Sequence, residues 1–93
     1  DHRRRLALAV VARFSAAAIR AQVLANLHRW RRNGVDGPAY DEWRSLAQSA
    51  DDGALYAAML GRDEHAVRLR QSAPYTGLLS EAEVRALNEE AAG

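Results

Sequence analysis

The sequence predicts an all-α domain in which one long N-terminal helix packs across about four shorter helices, with no sheet. Three observations favour this class. Strong helix formers such as Ala, Leu and Arg dominate the first third, apolar residues recur at helical spacing, and no segment alternates with the period of two that a strand requires. We treat residues 1–93 as a single helical domain, with a long basic helix at about 4–32 and an acidic multi-helix part at about 38–91.

The long helix covers a segment without glycine or proline. Its apolar residues form two neighbouring stripes at helical spacing. The stripes are Val10, Phe14, Ala17, Ala21 and Leu24, and Ile19, Val23, Leu27 and Trp30. Ser15 is able to cap a second helix and divide the segment, but no residue beside it forces a break, so we favour one continuous helix. Asn33 and Gly34 end it, because either residue accepts the left-handed conformation at a helix C-terminus.

Three shorter helices are predicted next, and each begins at a recognisable signal. A proline suits the first position of a helix, and an aspartate at the N-cap accepts a hydrogen bond from a free backbone N–H. The starts are Pro38, Asp51 or Asp52, and Asp63, for helices at about residues 38–49, 53–60 and 64–71. Pro74 and Gly77 then predict a turn.

The last helix has the clearest start signal in the chain. Ser80 and Glu83 have the spacing of a capping box, in which each side chain accepts a hydrogen bond from the backbone N–H of the other residue. Leu79 and Val84 flank the box at the positions of a hydrophobic staple. We therefore expect a helix from Ser80 onwards.

Charge is divided between the two parts of the chain. Residues 1–35 carry eight arginines against Asp1 alone, a net charge of +7, whereas residues 36–93 carry five arginines against eleven acids, a net charge of −6. Such asymmetry indicates a polyanion, an acidic partner surface, or a basic segment that folds against the chain's own acidic part. Every basic residue apart from histidine is arginine, whose planar guanidinium matches a carboxylate or a phosphate.

The residue pattern indicates no catalytic or metal site, so we predict neither enzyme activity nor a cofactor. There is no cysteine, and the three histidines lie far apart in sequence. Only Asp63, Glu64 and His65 group a histidine with carboxylates, and sequence neighbours on a helix point in different directions. No serine or threonine has a nucleophile motif around it, and no glycine-rich phosphate loop is present.

The candidate partner-binding residues are arginines outside the apolar stripes and one aromatic residue of the turn. They are Arg13, Arg20, Arg29, Arg32, Arg70 and Tyr75. Arg29 and Arg32 have two alternatives, to clamp phosphate or to pair with carboxylates of the chain or of a partner, and we favour the carboxylates. The segment Arg68–Leu79 either covers the core or presents Tyr75 and Arg70 as a docking knob. Trp30 and Trp43 are expected to pack together in the core.

Three stretches resemble small helical antitoxins encoded beside bacterial toxins, particularly those paired with nucleotidyltransferase-like toxins. They are Asn26–Gly34 (NLHRWRRNG), Tyr40–Trp43 (YDEW) and Arg68–Leu79 (RLRQSAPYTGLL). The resemblance implies a non-catalytic protein that folds on a cognate toxin and masks it. It assigns no individual binding residue.

The expected function is therefore a protein-binding inhibitor of the antitoxin type that occludes the active or substrate-binding site of its partner. The alternative is a small nucleic-acid-binding transcriptional regulator that uses the basic N-terminal helix. A helix-turn-helix places base-reading side chains on its second helix, and the acids that follow Pro38 argue against this alternative. The absence of cysteine suits a cytoplasmic location, and no apolar run approaches the roughly 18–20 residues of a membrane span.

Overall fold

The computed structural model describes residues 2–92, so Asp1 and Gly93 of the predicted domain lie outside the described residues. Six α-helices and no strand occur in this range. They are α1 (His2–Arg13), α2 (Ala16–Arg32), α3 (Pro38–Gln48), α4 (Asp52–Leu60), α5 (Glu64–Arg70) and α6 (Glu81–Ala92). The all-α class is confirmed.

The predicted continuous helix over residues 4–32 is wrong, because the chain breaks at Phe14 and Ser15. Ser15 is extended (φ −70°, ψ 159°), and its hydroxyl accepts a 3.1 Å hydrogen bond from the N–H of Ala18, which makes it the N-cap of α2. A straight helix over 4–32 would be about 43 Å long, whereas the Cα atoms extend over 36 × 28 × 24 Å. The break lets α1 pack against α4 and α6 while α2 packs along α3.

Helix α2 ends at the predicted residues, Asn33 and Gly34. Gly34 adopts φ +85°, the left-handed conformation that glycine accepts without strain. The N–H of Gly34 donates to the carbonyl of Arg31 (3.1 Å), and that of Val35 donates to the carbonyl of Trp30 (2.9 Å). These two bonds form a Schellman motif, which satisfies carbonyl groups that the helix leaves free.

The remaining helix starts agree with the sequence signals. Pro38 is the first residue of α3, and side chains of Asp51 and Asp63 cap α4 and α5 by accepting hydrogen bonds from the backbone. The capping box of α6 is confirmed: the N–H of Ser80 donates to Glu83 Oε1 (3.0 Å), and the N–H of Glu83 donates to Ser80 Oγ (3.1 Å).

Trp43 is the largest fully buried side chain and lies at the centre of the core. Its indole N–H donates a 2.9 Å hydrogen bond to the carbonyl of Leu69, and its ring meets Tyr75 edge to face at 5.6 Å between centroids. Trp30 is half-buried and its ring meets Tyr40 at 6.0 Å. The expected pairing of the two tryptophan rings is therefore replaced by two Trp–Tyr pairs.

The segment that joins α5 to α6, residues 71–80, contains the predicted turn and packs against the core. Pro74 and Tyr75 are buried there, and Ala73, Leu78 and Leu79 are partly buried against the same cluster. None of the helices in residues 2–92 combines the length and apolar character of a membrane span.

Replacement of Trp43 by alanine is expected to lower the free energy of unfolding by about 3–5 kcal/mol, because it leaves a cavity and removes the hydrogen bond to Leu69. Val67→Ala is the matched control, since Val67 is 38% exposed, and it should change stability by less than about 0.5 kcal/mol. Urea unfolding followed by circular dichroism measures both. A loss below about 1 kcal/mol for Trp43→Ala would show that the core does not depend on this residue.

Candidate partner-binding surface

The basic first part of the chain folds against its acidic second part. Four ion pairs join arginines of residues 2–35 to carboxylates of residues 36–90. They are Arg5–Glu90, Arg13–Glu83, Arg20–Asp52 and Arg31–Asp36. Much of the charge asymmetry of the sequence is therefore neutralised within the molecule, and only the arginines outside these pairs keep an unbalanced charge.

Two of the predicted partner-binding residues belong to this internal network. Arg13 forms an ion pair with Glu83 of α6, and its guanidinium also lies 5.9 Å from the centroid of the Phe14 ring. Arg20 forms an ion pair with Asp52 at the start of α4, and its side chain is only 18% exposed. Both arginines therefore join helices of the same chain.

Arg29 and Arg32 lie on the surface at the end of α2, as predicted. Among residues 2–92, no carboxylate lies within 4.0 Å of either guanidinium. One Nη of Arg29 donates a 2.9 Å hydrogen bond to Asn26 Oδ1, which fixes its orientation. These two arginines are the predicted site residues that keep an exposed charge without an acidic partner in the described part of the chain.

His28 and Arg31 complete a basic cluster, by which we mean His28, Arg29, Arg31 and Arg32. Arg29 and Arg32 are three positions apart on α2, and His28 lies three and four positions before Arg31 and Arg32, so their side chains are neighbours. Neither His28 nor Arg31 was predicted as a site residue, although this spacing was available in the sequence. Cations in the last turn suit the helix dipole, but like charges at this spacing repel one another.

A shallow cavity of about 330 Å³ extends the basic cluster towards α3. His28 and Arg31 line it from α2, and Arg44 and Gln48 line it from α3. Arg44 is paired with Asp41 at 2.9 Å. The cluster therefore borders a concave surface that carries donors from two helices.

Arg70 and Tyr75 lie in the core and not on the surface expected of a partner site. Arg70 is 1% exposed and lies along the C-terminal end of α4, where its Nη1 is 3.3 Å from the carbonyl oxygens of Ala58 and Met59. Tyr75 is 6% exposed and packs on Trp43. Of the two interpretations of Arg68–Leu79, the fold has the one in which this segment covers the core.

Tyr75 carries an unusual hydroxyl. It is buried and has no hydrogen-bond partner among residues 2–92. Burial raises the pKa of Tyr75 from 10.0 to about 12, because the phenolate would lose its hydration, and the positive charge of Arg70 opposes part of that rise.

Comparison with known proteins found no family model, no curated protein and no solved structure that matches the chain.

Within residues 2–92, no three side chains of His, Asp or Glu lie close enough together to hold a metal ion. His65 follows two carboxylates in the sequence, but its side chain bonds to Glu42 of α3, with 2.6 Å between Nε2 and Oε2. That pair is exposed and joins α5 to α3.

The hydroxyl of Tyr75 predicts a specific dependence of stability on pH. The unfolded tyrosine ionises near pH 10, and the folded one only near pH 12. Between these values the unfolded state binds fewer protons, so stability is full below pH 10 and is lost as pH rises through about 12. The loss should approach about 2–3 kcal/mol, since one pKa unit corresponds to about 1.4 kcal/mol.

Tyr75→Phe should remove this loss, and near pH 7 it should leave the protein as stable as the wild type or more so, because an unpaired buried hydroxyl is costly. Tyr56→Phe, on a half-buried tyrosine of α4, is the control. Urea unfolding at pH 8 and in steps from pH 10 to pH 12 compares the three proteins. The same alkaline loss in wild type and Tyr75→Phe would show that another group is responsible.

Proposed function

We propose that this chain is a non-catalytic protein-binding inhibitor of the antitoxin type, and that its basic cluster binds carboxylates of a cognate enzyme. One observation carries the proposal. Arg29 and Arg32 are exposed and lack an acidic partner among residues 2–92, whereas four other arginines of the first part are paired within the chain. A partner that supplies carboxylates would complete the pairing.

The electrostatics of α2 support an acidic partner. Arg29, Arg31 and Arg32 lie within one turn of the helix, and Asp36, 3.5 Å from Arg31, is the one carboxylate paired with this turn in the described residues. Repulsion between neighbouring guanidinium groups is relieved when carboxylates approach them. Complementary charge of this kind raises the association rate and the specificity of a protein complex.

The order of the cluster also favours binding. It lies on a regular helix that ends in a Schellman motif, and the hydrogen bond from Arg29 to Asn26 holds one guanidinium in place before any partner arrives. Side chains that are already ordered lose less entropy on binding. Arginine forks can then form two parallel hydrogen bonds to one carboxylate.

The proposed mechanism is occlusion of an enzyme's active or substrate-binding site. An enzyme that holds metal ions with carboxylates, as the resemblance to antitoxins of nucleotidyltransferase-like toxins suggests, has an acidic centre that the basic cluster would cover. The inhibitor contributes no reacting group to this mechanism. It acts by filling the approach to the site and by pairing its charges.

A nucleic-acid-binding regulator is the second candidate, and four basic side chains in two turns of α2 favour it. Two features oppose it. Asp36 pairs with Arg31 of the cluster, and Asp41 pairs with Arg44, which lines the adjoining cavity. In α1, the basic end that this candidate would use is partly engaged, since Arg5 pairs with Glu90 and Arg4 donates to the carbonyl of Leu60 at 2.7 Å.

Arg32→Glu and the double variant Arg29→Glu with Arg32→Glu are expected to weaken partner binding by roughly 2–5 kcal/mol, because a reversed charge would face a partner carboxylate. Folding should change by less than about 0.5 kcal/mol for Arg32→Glu, since such exposed substitutions rarely do more. Co-expression with the protein of the neighbouring gene, followed by pull-down and calorimetry, measures the binding. Circular dichroism checks the fold.

Arg62→Glu with Arg85→Glu is the matched control, since both arginines are exposed and have no carboxylate partner among residues 2–92. The control changes the net charge equally and should leave binding intact. Equal losses from both double variants would mean that only net charge matters. Intact binding by folded Arg29→Glu with Arg32→Glu would overturn the proposed surface, and tight duplex binding near physiological salt would favour the second candidate.

A further inference from the structure

A second cavity lies on another side of the molecule, between α1, α6 and the segment at residues 71–79. Its volume is about 330 Å³. Leu6 and Val10 line it from α1, Leu79 from the segment and Val84 from α6, with Ala73 also in the wall. Ligand sites are concave, mostly apolar and typically about 300–1,000 Å³ in volume, so this cavity is within the range of a small-molecule site.

The attachment of α6 explains why the cavity stays open. None of the residues 81–90 is fully buried, and Val84 and Leu87 are only partly buried. Ion pairs join the two ends of α6 to α1, Arg13 with Glu83 and Arg5 with Glu90. These pairs show that the two helices run antiparallel, and they hold α6 over the apolar residues of α1 without close packing along its whole length.

Two arginines line the cavity, Arg3 and Arg70. Arg70 is 1% exposed and lies beside carbonyl oxygens of α4, so Arg3 supplies the exposed cation. Arg3 forms no hydrogen bond or ion pair with the other described residues. A mostly apolar cavity with one exposed guanidinium suits a molecule that has an apolar body and one anionic end.

We infer that this cavity is a binding site for a small amphiphilic carboxylate. The alkyl chain lies among Leu6, Val10, Leu79 and Val84, and the carboxylate meets Arg3. A dry apolar cavity of about 150 Å³ accommodates benzene, so a cavity of about twice that volume accommodates an alkyl chain of roughly eight to twelve carbons. A nucleotide or a free phosphate suits the walls poorly, because it would place polar groups against the apolar side chains of Leu6, Val10, Leu79 and Val84.

Titration calorimetry of the whole chain with octanoate tests the site. 1-Octanol has the same alkyl chain without the carboxylate, so it distinguishes the contribution of the chain from that of the charge. Octanoate should bind saturably with one molecule per chain and should raise the melting temperature. Arg3→Gln should weaken octanoate about two- to fivefold, the range of an exposed ion pair, and leave 1-octanol unchanged. Arg62→Gln, on an exposed arginine of the loop before α5, should affect neither.

Ala73→Phe should abolish binding of both compounds, because it fills the cavity, whereas Ala86→Phe on the exposed side of α6 should not. NMR titration of the wild type locates the ligand without any substitution, and the methyl groups of Leu6, Val10, Leu79 and Val84 should shift most. Absence of saturable binding, shifts centred on another surface, or a folded Ala73→Phe variant that keeps full affinity would each overturn the proposal.

Discussion

The side-chain amide of Asn26 fastens the irregular segment at residues 71–79 to α2, and the rest of the molecule depends on that attachment. Asn26 is fully buried, and its Nδ2 donates to the carbonyls of Pro74 (2.8 Å) and Thr76 (2.9 Å). Its Oδ1 accepts from Gln22 (3.2 Å) and Arg29 (2.9 Å). Two donors and two acceptor positions are all that this side chain has, so a polar group that would be costly in the core is fully satisfied.

Both the core and the proposed binding surface follow from this attachment. Because Pro74 and Thr76 are fixed on α2, Tyr75 between them is held against Trp43, which in turn donates to the carbonyl at the end of α5. On the outer side the same amide oxygen orients the guanidinium of Arg29. A domain of this size buries a modest share of its surface. Few other contacts could therefore replace the hydrogen bonds of Asn26 if they were lost. The folded core and the proposed interface therefore share one residue.

Local signals predicted most of the helices, and tertiary contacts explain the failures. The capping box of Ser80 and Glu83 involves only residues of one helical turn, so the sequence is enough to predict it. The exposure of Arg29 is predicted in the same way, from its position outside the apolar stripes. Ser15 is also a local cap, but the apolar pattern continues through it, and only the packing of α1 on α4 shows that the helix must end there. The burial of Arg70 depends on carbonyls at the end of α4, twelve positions earlier in the chain for Ala58, and no pattern within α5 reports that contact.

Exchange of the side-chain amide protons of Asn26 with solvent, followed by NMR, tests the central attachment most directly. Buried and fully bonded, these protons should exchange at least about a hundredfold more slowly than those of the exposed Asn88 on α6, because exchange requires the segment to open. Exchange as fast as that of Asn88 would contradict the account, because the segment would then not be anchored to α2.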